Sequence, residues 1–88
     1  MKHPDHIPGW DRTLGELAVA IENMRYDKVA DFLDYLQGAL MKRAAKDREA
    51  CRHGLATRLN RVATNIYQAC DEMDEVWKLC KPHMEKDE

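Results

Sequence analysis

The stretch Leu55–Cys80, LATRLNRVATNIYQACDEMDEVWKLC, decides the fold. It places Leu55, Leu59, Val62, Ile66, Ala69, Met73, Val76 and Cys80 at steps of 4, 3, 4, 3, 4, 3 and 4. An α-helix turns once every 3.6 residues, so alternating steps of three and four keep these side chains on one stripe. Sustained over more than three heptads, the pattern marks a helix packed lengthwise on another helix. It predicts a long helix over about 56–80, ending before Pro82, whose ring disfavours helical backbone in the preceding residue. Residues 82–88 are expected to form a frayed tail.

Upstream, Val29, Phe32, Leu33, Leu36, Leu40 and Ala44 form a second stripe. They predict a helix over about 27–52, with Asp27 as its N-cap. The bend between the two long helices has two candidate positions. Gly54, preceded by Arg48, Arg52 and His53, fits the left-handed residue that closes a helix. Lys46-Asp47 is the alternative, with Gly54 then inside the last helix. Either short connection makes the helices antiparallel neighbours.

Further upstream, Thr13-Leu14-Gly15-Glu16 fits a capping box. Leu14, Leu17, Ala18, Ile21 and Met24 continue it as one face of a helix over about 13–24. Residues 1–12 hold two Pro, one Gly and one Trp without periodicity, and read as an extended arm pinned by Trp10. The expected fold is all-α: a short N-terminal helix on a long antiparallel hairpin, one domain spanning 13–81.

Helix lengths carry the main functional expectation. Two helices of about 25 residues each run roughly 37 Å, whereas the first, with about 12, reaches roughly 18 Å. It covers only half of the hairpin. Leu40, Met41, Ala44, Leu55, Leu59 and Val62 near the bend are left as a candidate interface, because a bare apolar patch marks a binding surface. A C2 dimer completing a four-helix core is the economical cover, with a different protein partner as the other option.

Composition narrows the classes. With 44% hydrophobic residues the chain is too apolar for disorder, and Leu17–Ile21, its longest apolar run, is far too short to span a bilayer. Met1–His6 leads into no apolar segment of signal type. Three cysteines, Cys51, Cys70 and Cys80, form no CxxC pair and cannot close a disulfide framework, which favours a reducing, cytoplasmic setting. The net charge of −2 hides a segmental layout: −3 over 1–41, +5 over 42–61 and −4 over 71–88.

The basic segment gathers Lys42, Arg43, Lys46, Arg48, Arg52, Arg58 and Arg61 near the bend. Arg58 and Arg61 oppose the dipole at the start of their helix, which suits an anionic partner such as an acidic protein face or a nucleic-acid backbone. No aromatic residue stands among them to stack on bases. Asp27, Asp31, Asp34, Asp71, Glu72, Asp74 and Glu75 gather at the other end, without the Glu-x-x-His spacing of di-iron bundles. His3-x-x-His6, Cys51-x-His53 and Cys80-x-x-His83 are ligand pairs in three separate places, whereas structural zinc needs four convergent ligands. No metal or cofactor is expected.

Arg48-Glu49-Ala50-Cys51-Arg52-His53 reads R-x4-H and resembles the motif of HEPN ribonucleases. That resemblance implies a composite dimer cleft in which His53 acts on the ribose 2′-OH and Arg48 steadies the phosphate. Glu49 departs from the polar residue usual after the motif Arg. The chain lacks a phosphate loop, a Ser-His-Asp set and CxxC, so the inventory for catalysis is thin. The reading favoured by the sequence is a small non-catalytic interaction module of adaptor or inhibitor type. The alternatives are a binder of anionic surfaces through the basic bend and a HEPN-like nuclease.

Overall fold

The computed structural model describes the backbone of residues 3–87 and the side chains of residues 3–83. Residues 1 and 2 of the expected arm and residue 88 of the expected tail lie outside the described residues. Three helices account for the fold: α1 (Leu14–Glu22), α2 (Tyr26–Glu49) and α3 (His53–Asp87). The described residues contain no strand. The architecture is therefore the expected one, a short helix laid on a long antiparallel hairpin.

α1 starts on the expected capping box. Thr13 Oγ1 accepts from the Glu16 backbone N–H at 3.1 Å, and Glu16 Oε1 accepts from the Thr13 N–H at 3.2 Å. The arm before it is folded locally rather than extended. The Trp10 N–H donates to the Ile7 carbonyl at 2.9 Å across Pro8 and Gly9, with Gly9 at φ 86°, the backbone that a type II turn requires. The Trp10 indole then donates to the Thr13 carbonyl at 3.2 Å, which ties the arm to the start of α1.

The bend corrects both expected positions. It lies at 50–52, and its hydrogen bonds form a Schellman closure: Cys51 N–H to the Arg48 carbonyl at 3.0 Å and Arg52 N–H to the Asp47 carbonyl at 2.7 Å. The left-handed residue is Cys51, at φ 63°, and not Gly54, which sits in the first turn of α3. α2 opens at Tyr26 with Arg25 in the N-cap position, so Asp27 falls inside its first turn instead of capping it. α3 does not stop before Pro82 but continues to Asp87. A proline costs its helix one hydrogen bond and crowds one carbonyl, yet leaves the turns on either side intact.

Two contacts cross the hairpin and set its register. The Cys70 thiol donates to the Ala30 carbonyl at 3.3 Å, and the Arg25 guanidinium stands 5.5 Å over the Trp77 ring. The seam on α2 is formed by Ala30, Leu33, Gln37, Leu40, Ala44 and Asp47, all buried or half-buried, with Asp27, Val29 and Gly38 half-buried beside it. On α3 it is formed by Ala56, Leu59, Ala63, Ile66, Cys70, Met73, Trp77 and Cys80, with Asn60 half-buried beside it. Both series step by three and four, so this is an antiparallel heptad seam. Alanines are its only fully buried apolar residues: Ala30, Ala44, Ala56 and Ala63. Small residues there bring the two backbones close, and no large apolar side chain is sealed between them.

The result is a flat molecule. Its extents are 53 × 30 × 14 Å and its radius of gyration is 16.0 Å, against about 12 Å for a compact chain of this length. α1 rests against α2, and among the described residues its backbone does not approach α3.

Candidate functional site

Assigning heptad positions to the seam sorts the remaining residues onto two broad faces. With Ala30, Ala44, Ala56 and Ala63 at a, the neighbouring g and c positions fall on one side and e and b on the other. Because the chain reverses at the bend, like positions of the two helices share a side. The g/c side carries Val29, Phe32, Leu36 and Ala39 from α2, and Leu55, Val62, Ala69, Val76 and Leu79 from α3, together with Arg43, Lys46, Arg58, Asn65 and Glu72. The e/b side carries Asp27, Asp31, Asp34, Met41 and Arg48, with Thr57, Asn60, Thr64, Tyr67, Asp71 and Asp74. The first face is mainly apolar, with its charges toward the two ends, and the second is mainly polar.

α1 lies on the apolar side. A groove of about 410 Å³ runs between it and the hairpin, lined by Ala18, Ile21, Glu22, Tyr26, Val29, Phe32 and Met73. The groove is open, and α1 itself buries no residue, although Glu16 and Glu22 are its only charged side chains. A helix apolar nearly all round is a helix that ordinarily lies in a core. Nearer the bend Leu36, Leu55 and Val62 remain 36–45% exposed.

The expected interface residues divide accordingly. Leu55 and Val62 are exposed on the apolar face, and Leu40 and Leu59 are half-buried along its edge. Ala44 is corrected: it is sealed in the seam with 1% of its surface exposed, so it belongs to the chain's own packing. Met41 is exposed but at an e position, on the polar side. Sequence periodicity passed over Phe32, Leu36 and Val76 as surface residues, since each also fits a seam position.

The basic residues do collect around the bend, and all seven are exposed. They are split by face. Arg43, Lys46 and Arg58 flank the apolar side, at g and c positions. Arg48 and Arg61 enter a groove of about 420 Å³ with Thr57, Asn60, Thr64 and Asn65. His53 does not line that groove.

Arg52 is engaged inside the fold. Its Nε donates to Asp47 Oδ1 at 2.9 Å and its Nη2 lies 2.8 Å from the same oxygen. Asp47 is fully buried, and its Oδ2 has no hydrogen-bond partner among the described residues. A charged residue thus occupies the last seam position before the bend, tied to the strand of chain that leaves it.

At the far end, Arg25 holds Asp27 in a two-pronged pair at 2.7 and 2.9 Å. That hydrogen bonding lowers the Asp27 carboxyl below its ordinary value, with Lys28 adding to it. Lys28 pairs with Asp31 at 3.7 Å and Lys78 with Glu75 at 3.1 Å. Partial burial pushes the Cys70 thiol up, and the carboxylates of Asp74, Asp34, Asp71 and Asp31 push it further. Among the described residues no three His, Cys, Asp or Glu side chains gather as a metal set, and no helix is long and apolar enough to cross a membrane.

No family model matches the chain, and neither does any curated protein or solved structure.

Proposed function

We propose that the protein is a non-catalytic helical interaction module, of adaptor or inhibitor type, that works through the apolar face of its hairpin. The observation that carries this reading is the sorting of side chains: exposed Phe32, Leu36, Leu55, Val62 and Val76 share one side of a hairpin whose other side is mainly polar. An exposed apolar surface of this continuity is costly in water and is relieved by association. Three free cysteines suit a reducing, cytoplasmic compartment.

Paired substitutions test it. Val62→Asp and Tyr67→Asp change residues of similar exposure on opposite faces of α3, 45% and 52%. The first abolishes association and the second leaves it unchanged. Equal effects from both contradict the reading.

A second reading rests on the groove that holds Arg48 and Arg61 among four neutral polar side chains. It suits an anionic partner, an acidic protein surface or a nucleic-acid backbone, held by charge and hydrogen bonds. Its test is binding of a labelled oligonucleotide at rising salt. Affinity that falls steeply with salt and is lost in the Arg48→Glu, Arg61→Glu double variant supports it, and the absence of binding at low salt excludes it.

A further inference from the structure

We propose that the occupant of the apolar face is a second copy of this chain, laid antiparallel across it, so that two hairpins form a four-helix core. This rests on the interaction-module reading and names its partner.

The area argues for a partner of this size. The chain exposes 7068 Å², about 1,700 Å² more than the roughly 5,300 Å² expected of a folded monomer of 10.2 kDa. Two copies that each hid this excess would bury about 3,500 Å² in total, inside the roughly 2,000–5,000 Å² range of obligate homodimers. Two hairpin layers at the usual helix spacing of about 8–10 Å make a four-helix bundle.

The charge order argues for a copy of the same chain and sets its direction. A face that pairs with itself must match its own image after a half-turn. Along this face Arg43, Lys46 and Arg58 stand at the bend, the middle is uncharged and mainly apolar with Asn65 its one polar side chain, and Glu22 and Glu72 stand at the open end. Among the described residues none of these five has an ion-pair partner. A two-fold axis across the helices lays each basic bend on the partner's acidic end. An axis along the helices would stack the two +5 segments on each other.

The uncovered region places the axis. Midway between the bend and the α1 groove lie Ala39 on α2 and Val62 on α3. With the axis there, Val62 of each copy meets Val62 of the other. The Leu55 side chain at each bend then lies over Ala69 of the other copy's α3, at the edge of the groove lined by Phe32 and Met73.

Sedimentation and single-cysteine cross-linking test the arrangement. In a Cys70→Ala, Cys80→Ala background, one chain keeps Cys51 at the bend and another carries Val62→Cys with Cys51→Ser. The proposal expects a dimer in both, rapid disulfide linkage through the thiol introduced at 62, and none through Cys51. Linkage through Cys51 overturns the antiparallel arrangement. A wild-type chain that is monomeric at tens of micromolar overturns the second copy as occupant. Strong binding of a hydrophobic dye by that monomer would leave the interaction-module reading standing, and weak binding would remove both. Arg43→Glu with Arg58→Glu, on the rim where folding is untouched, is expected to weaken the dimer at least tenfold at low salt. No change would contradict the charge match.

Discussion

Ala63 is sealed against α2 with 1% of its surface exposed, while Val62, the residue before it, keeps 45% of its surface in solvent. The smaller side chain is inside and the larger outside. A monomer gains by the opposite choice, since burying a valine removes more apolar area than burying an alanine. The inversion is repeated at Leu55 and Ala56, at 42% and 0%. Alanines let the two helices approach, and the larger neighbours are left to pack elsewhere.

The close approach is itself testable. Ala63→Leu forces extra atoms into a seam that has no space for them, so it is expected to cost about 1–3 kcal/mol. Urea denaturation followed by circular dichroism measures this. A neutral or stabilising result would mean that the helices are not held at alanine spacing.

Loss of the bend's charged tie has a definite sign. Arg52→Ala leaves the buried Asp47 carboxylate without its guanidinium, and Arg52 is itself partly exposed, so the expected loss is about 2–3 kcal/mol. Asp47→Asn, which removes the buried charge with little change in volume and keeps an oxygen to accept from Arg52, is expected to cost less. Thermal melts of the two variants check the order.

Cys51 holds a left-handed backbone that favours glycine. Cys51→Gly relieves that strain but frees the unfolded chain, for a net gain of about 0.5–1 kcal/mol. A loss of stability in urea melts would contradict the Schellman closure described for the bend.

The thiols are expected to react in a fixed order. Cys51 is exposed, whereas Cys70 is half-buried, bonded to the Ala30 carbonyl and raised above its ordinary value. At pH 8 a thiol reagent modifies Cys51 first, and Cys70 lags until the hairpin opens. Mass spectrometry of the modified peptides reads the order.

Acid reaches the open-end pair late. Asp27 is held below its unfolded value by Arg25, so its contribution is complete above the ordinary carboxylate range and is lost as pH falls through the lowered value. The pair is exposed, and the effect on overall stability is small. Backbone amide signals at the start of α2 are expected to shift in that acidic window, below the ordinary carboxylate range, and Asp27→Asn removes the shift.

The all-α hairpin, its antiparallel sense and the capping box of α1 were legible in the sequence because each rests on spacing or on a local side-chain signal. The seam was only half legible. Leu59, Ile66, Met73 and Cys80 belong both to the apolar stripe and to the true seam, but the intervening seam positions are Ala56, Ala63, Cys70 and Trp77. Periodicity weighted by hydrophobicity selects Leu55, Val62, Ala69 and Val76 instead, one residue earlier, and these mark the outward face. The bend was missed because its left-handed residue is a cysteine while a glycine stands three positions on. Buried Asp47 gave no signal at all, since a lone aspartate near a bend ordinarily faces water.

The mass of the wild-type chain in solution tests the central claim most directly. Sedimentation equilibrium at about 10 µM is predicted to return twice the 10.2 kDa chain mass, with Val62→Asp raising the dissociation constant by roughly a hundredfold or more. A folded species of 10.2 kDa across that range, unchanged by Val62→Asp, would contradict it.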